Sequence, residues 1–147
     1  MTISRNPITG EKCVLPDTLD DNLAINQFLV QNLGKKVVVI QGLGFVGAVM
    51  SLVCANALTD EYAVIGVDLA NENTFWKIKS INDGSFPLIA DDPKIAEFFD
   101  NAKDKGNFLA TYDPVAYQYA DVVIVDINLD VQKKSCKKSG LQDLMLI

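Results

Sequence analysis

The chain has 147 residues, 49% of them apolar and 22% charged, with a formal net charge of −6. That length suits one domain with a core large enough to fold alone, and the acidic balance opposes generic attraction to nucleic-acid phosphates. There is no histidine, which removes the commonest general acid/base and the commonest metal ligand.

No apolar run approaches the roughly 18 residues that a membrane span requires, and MTISRNPITGEK lacks the apolar core of a secretory signal. A cytoplasmic protein without membrane or nucleic-acid partners is expected. Cys13, Cys54 and Cys136 lie far apart with no CxxC spacing, which predicts free thiols rather than a zinc site or a disulfide framework. No metal site is expected.

Residues 1–16 show no sustained periodicity and carry turn formers at Asn6-Pro7, Thr9-Gly10 and Pro16, so they read as an arm lying over the surface. From Asp17 the pattern is helical. Asp17 or Thr18 can cap, Asp20 and Asp21 suit the first turn, and Leu19, Leu23, Phe28, Leu29 and Leu33 form an apolar stripe before the stop at Gly34. Such a stripe points to packing on a core or interface rather than to a ligand.

Val37 to Ile40, four consecutive β-branched residues, predict a strand buried on both faces of a parallel sheet. Gly42, Gly44 and Gly47 follow with GxGxxG spacing. In a dinucleotide site the first makes the tight turn, the second admits a pyrophosphate and the third lets the helix pack on the strand. The helix predicted over about 45–58 is apolar nearly all round and is expected to be buried, with its N-terminal N–H groups facing an anion. Cys54 lies on it as a core residue.

The next strand, YAVIGVD, ends in Asp68, about 20 residues beyond Gly47, where an acidic residue meets the ribose hydroxyls of NAD. An isolated GxGxxG is weak. Between a β-branched strand and an apolar helix, and followed by this Asp, it identifies a dinucleotide site. A carboxylate there repels a 2′-phosphate, which favours NAD over NADP. A full GxGxxG also suits a pyrophosphate better than the methionine moiety of S-adenosylmethionine.

A short helix over 75–81 and a turn-rich segment 82–87 come next. Asp91 or Asp92 then caps a helix with Pro93 at its first position, Ile95, Ala96, Phe98 and Phe99 facing inward, and a stop near Gly106. NFLAT is a third strand, Asp113 and Pro114 start a short helix to about Tyr119, and DVVIVDI is a fourth strand. The alternation predicts an α/β, Rossmann-like, doubly wound parallel sheet in the order 3-2-1-4, with right-handed crossovers and helices on both faces.

VVVIQGLGFVGAVMS, YAVIGVDL, KIKSINDGSFPLIADDPKI and ATYDPVAYQYADVVIVDI together resemble the UDP-glucose/GDP-mannose dehydrogenase family of nucleotide-sugar dehydrogenases over about residues 35–130. INDGSFPL is the segment that separates this family from other Rossmann domains. The resemblance implies oxidation of the C6 alcohol of a UDP- or GDP-sugar with NAD as hydride acceptor, in polysaccharide precursor synthesis. It further implies pyrophosphate contacts at Gly42, Gly44, Phe45, Val46 and Gly47, a ribose contact at Asp68 and an adenosine-side contact from Lys77. Lys77 reads equally well as a solvated helix cation.

The family commonly follows its fourth strand with V-P-T-P, where this chain has Ile127-Asn128-Leu129-Asp130. Its catalytic cysteine, lysine and asparagine lie beyond the region of resemblance, so no catalytic residue is assigned. The expected layout is an N-terminal arm and helix (1–34), a cofactor domain (35–130) and a tail (131–147) belonging to an incomplete domain, inactive alone. The nucleotide sugar would be the partner of the full-length enzyme. The apolar edge of the fourth strand calls for cover by the C-terminal LMLI, the N-terminal helix or a second copy, making a homo-oligomer. Lys133, Lys134, Lys137 and Lys138 read as a solvated tail. The alternative function is a stand-alone nucleotide-binding regulatory domain without a reaction.

Overall fold

The computed structural model describes residues 1–127 and the strands Val131–Lys133 and Leu144–Leu146. The N-terminal arm is a hairpin, with Ile3–Arg5 (β1) antiparallel to Lys12–Val14 (β2). Three-residue strands are too short to show alternation in sequence. The turn signals are what build it: Asn6 Oδ1 accepts the N–H of Ile8 at 2.9 Å, and Gly10 takes φ 77°. The hairpin docks through Ser4, whose Oγ donates to the carbonyl of Glu72 at 2.7 Å and accepts from the N–H of Trp76 at 3.0 Å.

The first helix, Asn22–Gln31 (α1), starts later than Asp17 or Thr18 would place it. Asp21 occupies the N-cap position without capping, because its carboxylate is committed elsewhere: Thr111 Oγ1 donates to Asp21 Oδ2 at 2.6 Å, and the N–H of Asp21 donates to Asp113 Oδ2 at 2.8 Å. Of the expected stripe Phe28 is buried and Leu29 half-buried, and Ile25 joins them inside, whereas Leu19, Leu23 and Leu33 are 60–80% exposed.

Lys36–Gln41 (β3) enters the sheet, followed by the helix Phe45–Ala55 (α2) and the strand Tyr62–Val67 (β4). Phe75–Asn82 (α3) and Pro93–Lys105 (α4) cross to Phe108–Thr111 (β5), and a 3-10 helix, Pro114–Tyr119, crosses to Val122–Val125 (β6). In this four-stranded sheet every pairing is parallel, in the order β5-β4-β3-β6, which in order of appearance is the expected 3-2-1-4. Helix α4 forms as its signals dictate: Asp92 accepts from the N–H of Lys94, Pro93 opens the first turn and Gly106 closes it at φ 66°. Phe99 is buried and Ile95 and Phe98 half-buried, but Ala96 faces outward. Asp113 caps the 3-10 helix by accepting from the N–H of Val115.

Two apolar layers clasp the sheet. On one face Ile40, Leu43 and Val64 meet Leu52 of α2, Ile78 of α3 and Phe99 of α4. On the other, Val39 and Ile65 meet Ile25 and Phe28 of α1 and Ala116 of the 3-10 helix. Residues 37–40 alternate between these layers, so an unbroken apolar run is what a doubly covered strand needs.

The expected all-round burial of α2 is not found. Ala48, Ser51, Leu52 and Ala55 face the interior, while Phe45, Val46, Met50 and Val53 are exposed among the described residues. The helix also ends before residue 58, where Asn56 Nδ2 donates to the carbonyls of Leu52 and Phe98. At the sheet edge β6 pairs with β3, and Val122, Val123 and Val125 are 46–59% exposed. Leu144–Leu146 pairs antiparallel with Val131–Lys133, and α1 packs toward β5, so among the described residues neither element is joined to that edge. Cys136 and the side chains of the lysine cluster lie outside the described residues.

Gly66 in β4 owes its identity to packing. A Cβ there would come within 2.5 Å of Leu43 Cδ2, and Leu43 is wholly buried. Gly66→Val is expected to lower the stability of the chain by about 1–3 kcal/mol in denaturant unfolding. Asp21 makes a pH-dependent contribution: burial raises its carboxyl above the usual 3.8, Asp113 and Asp20 add to this, and the Thr111 hydroxyl opposes it. The folded chain therefore holds this proton more tightly than the unfolded chain. Asp21 favours the fold most below pH 3.8 and progressively less as pH rises through the folded value. Asp21→Asn, which keeps an oxygen for Thr111, is expected to remove that falling component from a plot of melting temperature against pH.

Candidate functional site

The site forms where the C-terminal ends of β3, β4 and β6 meet, the crevice that a doubly wound sheet offers to ligands. Beyond Gln41 the chain turns at Gly42 with φ 99°, and the Gly42 N–H donates to the carbonyl of Val67 at 2.8 Å. A Cβ on Gly42 would lie 2.0 Å from the carbonyl oxygen of Asp126, so backbone fills the space that a side chain would need. The Asp126 N–H in turn donates to the carbonyl of Gln41 at 2.8 Å. The turn is thus wedged between two strand ends.

Gly44 and Gly47 serve different ends. A Cβ on Gly44 meets nothing within 4 Å, so this residue faces open space, whereas a Cβ on Gly47 would meet the carbonyl oxygen of Gly42 at 2.0 Å. Gly47 therefore lets α2 start close against the turn. The first bond into the helix runs from the Ala48 N–H to the Gly44 carbonyl at 2.9 Å. The N–H groups of Phe45, Val46 and Gly47 have no acceptor among the described residues and give this end a partial positive charge.

Asp68 follows the last residue of β4 and turns its carboxylate toward the glycine turn. Oδ2 accepts the N–H of Leu43 at 2.9 Å and Oδ1 accepts the N–H of Leu69 at 2.7 Å. A carboxylate offers about four acceptor positions, so two backbone bonds orient it and leave capacity for a ligand. Lys77 arrives from α3, where Trp76 and Ile78 are buried on either side of it.

Gly42, Gly44, Phe45, Val46, Asp68 and Lys77 line one cavity of about 420 Å³, with Asp126 and Ile127 completing its wall. Gly47 stands behind it as a packing residue. All seven residues singled out in the sequence are thus gathered at one place. Lys77 is the only cation on that wall among the described residues. An anion donor row, a half-buried carboxylate and an open glycine fit a diphosphate followed by a ribose.

A second cavity, of about 460 Å³, shares Gly42, Asp68 and Ile127 with the first and continues toward β5. Its far wall is built by Leu19, Tyr112, Pro114 and Tyr117. Burial pushes the Tyr117 hydroxyl above its ordinary value, and the charge of Asp68 pushes it further. Tyr112 is raised by burial and then by Asp21, Asp113 and Asp20. Both phenols are therefore neutral hydrogen-bonding groups around pH 7.

Asp126, Tyr112 and Tyr117 escaped the sequence reading, although the first two follow strands whose C-terminal ends all open on the crevice. Leu19 carried no such signal. Cys13 is buried on β2 of the hairpin and Cys54 is half-buried on α2, with burial raising both thiols. Neither lines these cavities, as expected of structural thiols.

Among the described residues no helix is long and apolar enough to cross a membrane. A comparison with curated proteins gives no match. Among solved structures the chain is similar to an NDP-N-acetyl-D-galactosaminuronic acid dehydrogenase from Methanosarcina mazei Go1, with a TM-score of 0.60 and 23% identity. That likeness covers 74% of this chain but 23% of the archaeal one, and it establishes the fold. The family model for the NAD binding domain of the UDP-glucose/GDP-mannose dehydrogenase family matches residues 35–145, extending past the expected limit at 130. The chain belongs to the UDP-glucose/GDP-mannose dehydrogenase family and carries its NAD-binding domain.

Proposed function

We propose that this chain is the NAD-holding part of a nucleotide-sugar 6-dehydrogenase, which oxidises the C6 alcohol of a UDP- or GDP-sugar to the uronate in polysaccharide precursor synthesis. The observation that carries the reading is the joint placement of the α2 N-terminus, the Asp68 carboxylate and Lys77 on one cavity wall. The family membership and the sugar-nucleotide dehydrogenase named above support it. When bound, NAD supplies a hydride acceptor. The N–H groups of Phe45, Val46 and Gly47 hold the diphosphate, and Gly44 lets it approach the backbone. Asp68 accepts from the ribose hydroxyls and repels a 2′-phosphate, while Lys77 offsets the negative charge that Asp126 and the diphosphate bring together.

Neither Cys13 nor Cys54 is placed to act as a nucleophile, and the 147 residues bind cofactor without oxidising sugar. The nucleotide sugar meets this domain in the cytoplasm, within a longer polypeptide or assembly. A second copy of the chain covers the exposed β6 edge, making a homo-oligomer.

Calorimetric titration is expected to show saturable binding of NAD and at least about tenfold weaker binding of NADP. Asp68→Ala should weaken NAD by about tenfold or more, since it removes charged hydrogen bonds. Asp68→Asn, which still accepts from Leu43, should keep the melting temperature while narrowing the preference for NAD over NADP. Unchanged NAD affinity in both variants would refute the ribose assignment, and sugar-dependent NADH formation by the chain alone would refute the division of labour. Asp126→Ala removes a negative charge from the phosphate wall and is expected to tighten NAD by roughly fivefold; weaker binding would mean that Asp126 acts as a ligand.

A further inference from the structure

The family match begins at residue 35, yet the second cavity takes part of its wall from residue 19. The segment that brings Leu19 there is fastened to the end of β5. Its Asp21 N–H donates to Asp113 Oδ2 at 2.8 Å, and its Asp21 Oδ2 accepts from Thr111 Oγ1 at 2.6 Å. Both anchors are interior residues, Thr111 at 0% and Asp113 at 4% exposure. The Tyr112 hydroxyl adds a longer bond of 3.4 Å to the carbonyl of Asp20. Leu19 itself is 60% exposed, an apolar side chain at the mouth of an apolar cavity with its outer surface uncovered.

The order of groups in a dinucleotide decides what belongs there. An acidic residue at the end of the second strand pairs with the ribose on the adenosine side. With the diphosphate at Gly44 and that ribose at Asp68, the next group is the adenine ring. The cavity that continues from Asp68 toward β5 is lined by Leu19, Tyr112, Pro114 and Tyr117. At about 460 Å³ it falls in the roughly 300–1,000 Å³ range of small-ligand pockets. A flat aromatic base suits such walls, since aromatic rings favour offset or edge contacts with one another.

We propose that residues 17–21 are part of the cofactor site and that Leu19 covers the adenine ring, forming its pocket together with Tyr112, Pro114 and Tyr117. The inference rests on the NAD reading above and extends it to a segment outside the family match. The N-terminal segment thereby serves as a fixed flap. Its position is set by Asp21 and its grip by Leu19, so one wall of the adenine pocket is supplied from a part of the chain outside the family match.

The test is Leu19→Ala in the full 147-residue chain, with dissociation constants for NAD, AMP and nicotinamide mononucleotide and the melting temperature without ligand. Because Leu19 is exposed, the ligand-free melting temperature should stay at its parent value. NAD and AMP should each weaken by about five- to tenfold through the lost apolar contact, while nicotinamide mononucleotide binds as before. NAD and AMP binding at parent strength or tighter in Leu19→Ala, alongside a loss of NAD affinity in Asp68→Ala, would overturn the role of Leu19 and leave the NAD site standing. Parent-strength NAD binding in both variants would overturn the site and the inference together.

Discussion

One hydrogen bond joins the fold of this protein to its chemistry: the N–H of Leu43 donating to Asp68 Oδ2 at 2.9 Å. It runs from the middle of the glycine turn to the end of the neighbouring strand, so that turn geometry and carboxylate position are set together. Leu43 contributes twice. Its N–H orients the acid, and its side chain, wholly buried, packs into the space that Gly66 leaves in β4. A bulkier residue at 66 would push Leu43 outward and disturb the donor that positions Asp68. The core and the ligand wall therefore share a residue, and substitutions on one side are felt on the other.

The three glycines of the motif meet this constraint in separate ways. Gly42 and Gly47 are demanded by backbone proximity, with a Cβ on either falling 2.0 Å from a carbonyl oxygen. Gly44 has space around it, so its lack of a side chain matters only to what approaches from the crevice. Folding thus explains two of the glycines, and the third is left to the proposed ligand. The carboxylate of Asp126 enters the same small volume, 3.1 Å from where a Cβ of Gly47 would sit. It places a negative charge beside a row of N–H donors. Among the described residues Lys77 is the cation on that wall, and under the dinucleotide reading α3 has an electrostatic task in addition to its packing role.

Much of this was legible because the signals were dense and local. Residues 37–40 could only be a strand covered on both faces, and Asp92-Pro93 and Gly106 marked both ends of α4 as the structure has them. The sheet order followed from alternation and handedness. What sequence reading missed was decided by distant partners. Asp21 could not be recognised as an anchor, because its partners Thr111 and Asp113 lie some 90 residues away in the chain. Without that anchor the residue pattern puts the start of α1 too early and Leu19 on a helical stripe. The hairpin of residues 3–14 failed for a different reason, since strands of three residues carry no period to detect. The outer face of α2 was misjudged because composition reports how apolar a helix is, not how much neighbouring structure exists to cover it.

The two flanks of the sheet differ in consequence. Toward β5, α1 packs on the sheet face and the segment before it reaches the strand end, where Asp21, Thr111 and Asp113 form a bonded cluster that holds it. Toward β6, valines at 122, 123 and 125 and the α2 face from Phe45 to Val53 remain exposed among the described residues. Under the dinucleotide reading the closed flank takes the adenosine half and the open flank borders the end that accepts hydride. On that reading the adenosine half meets walls that the chain's own hydrogen bonds hold in place, which reduces the entropy lost on binding. The hydride-accepting end then borders an apolar surface that is exposed among the described residues. Under the proposed function cofactor affinity is then separable from catalysis, since it rests on walls that Asp21, Thr111 and Asp113 hold in place.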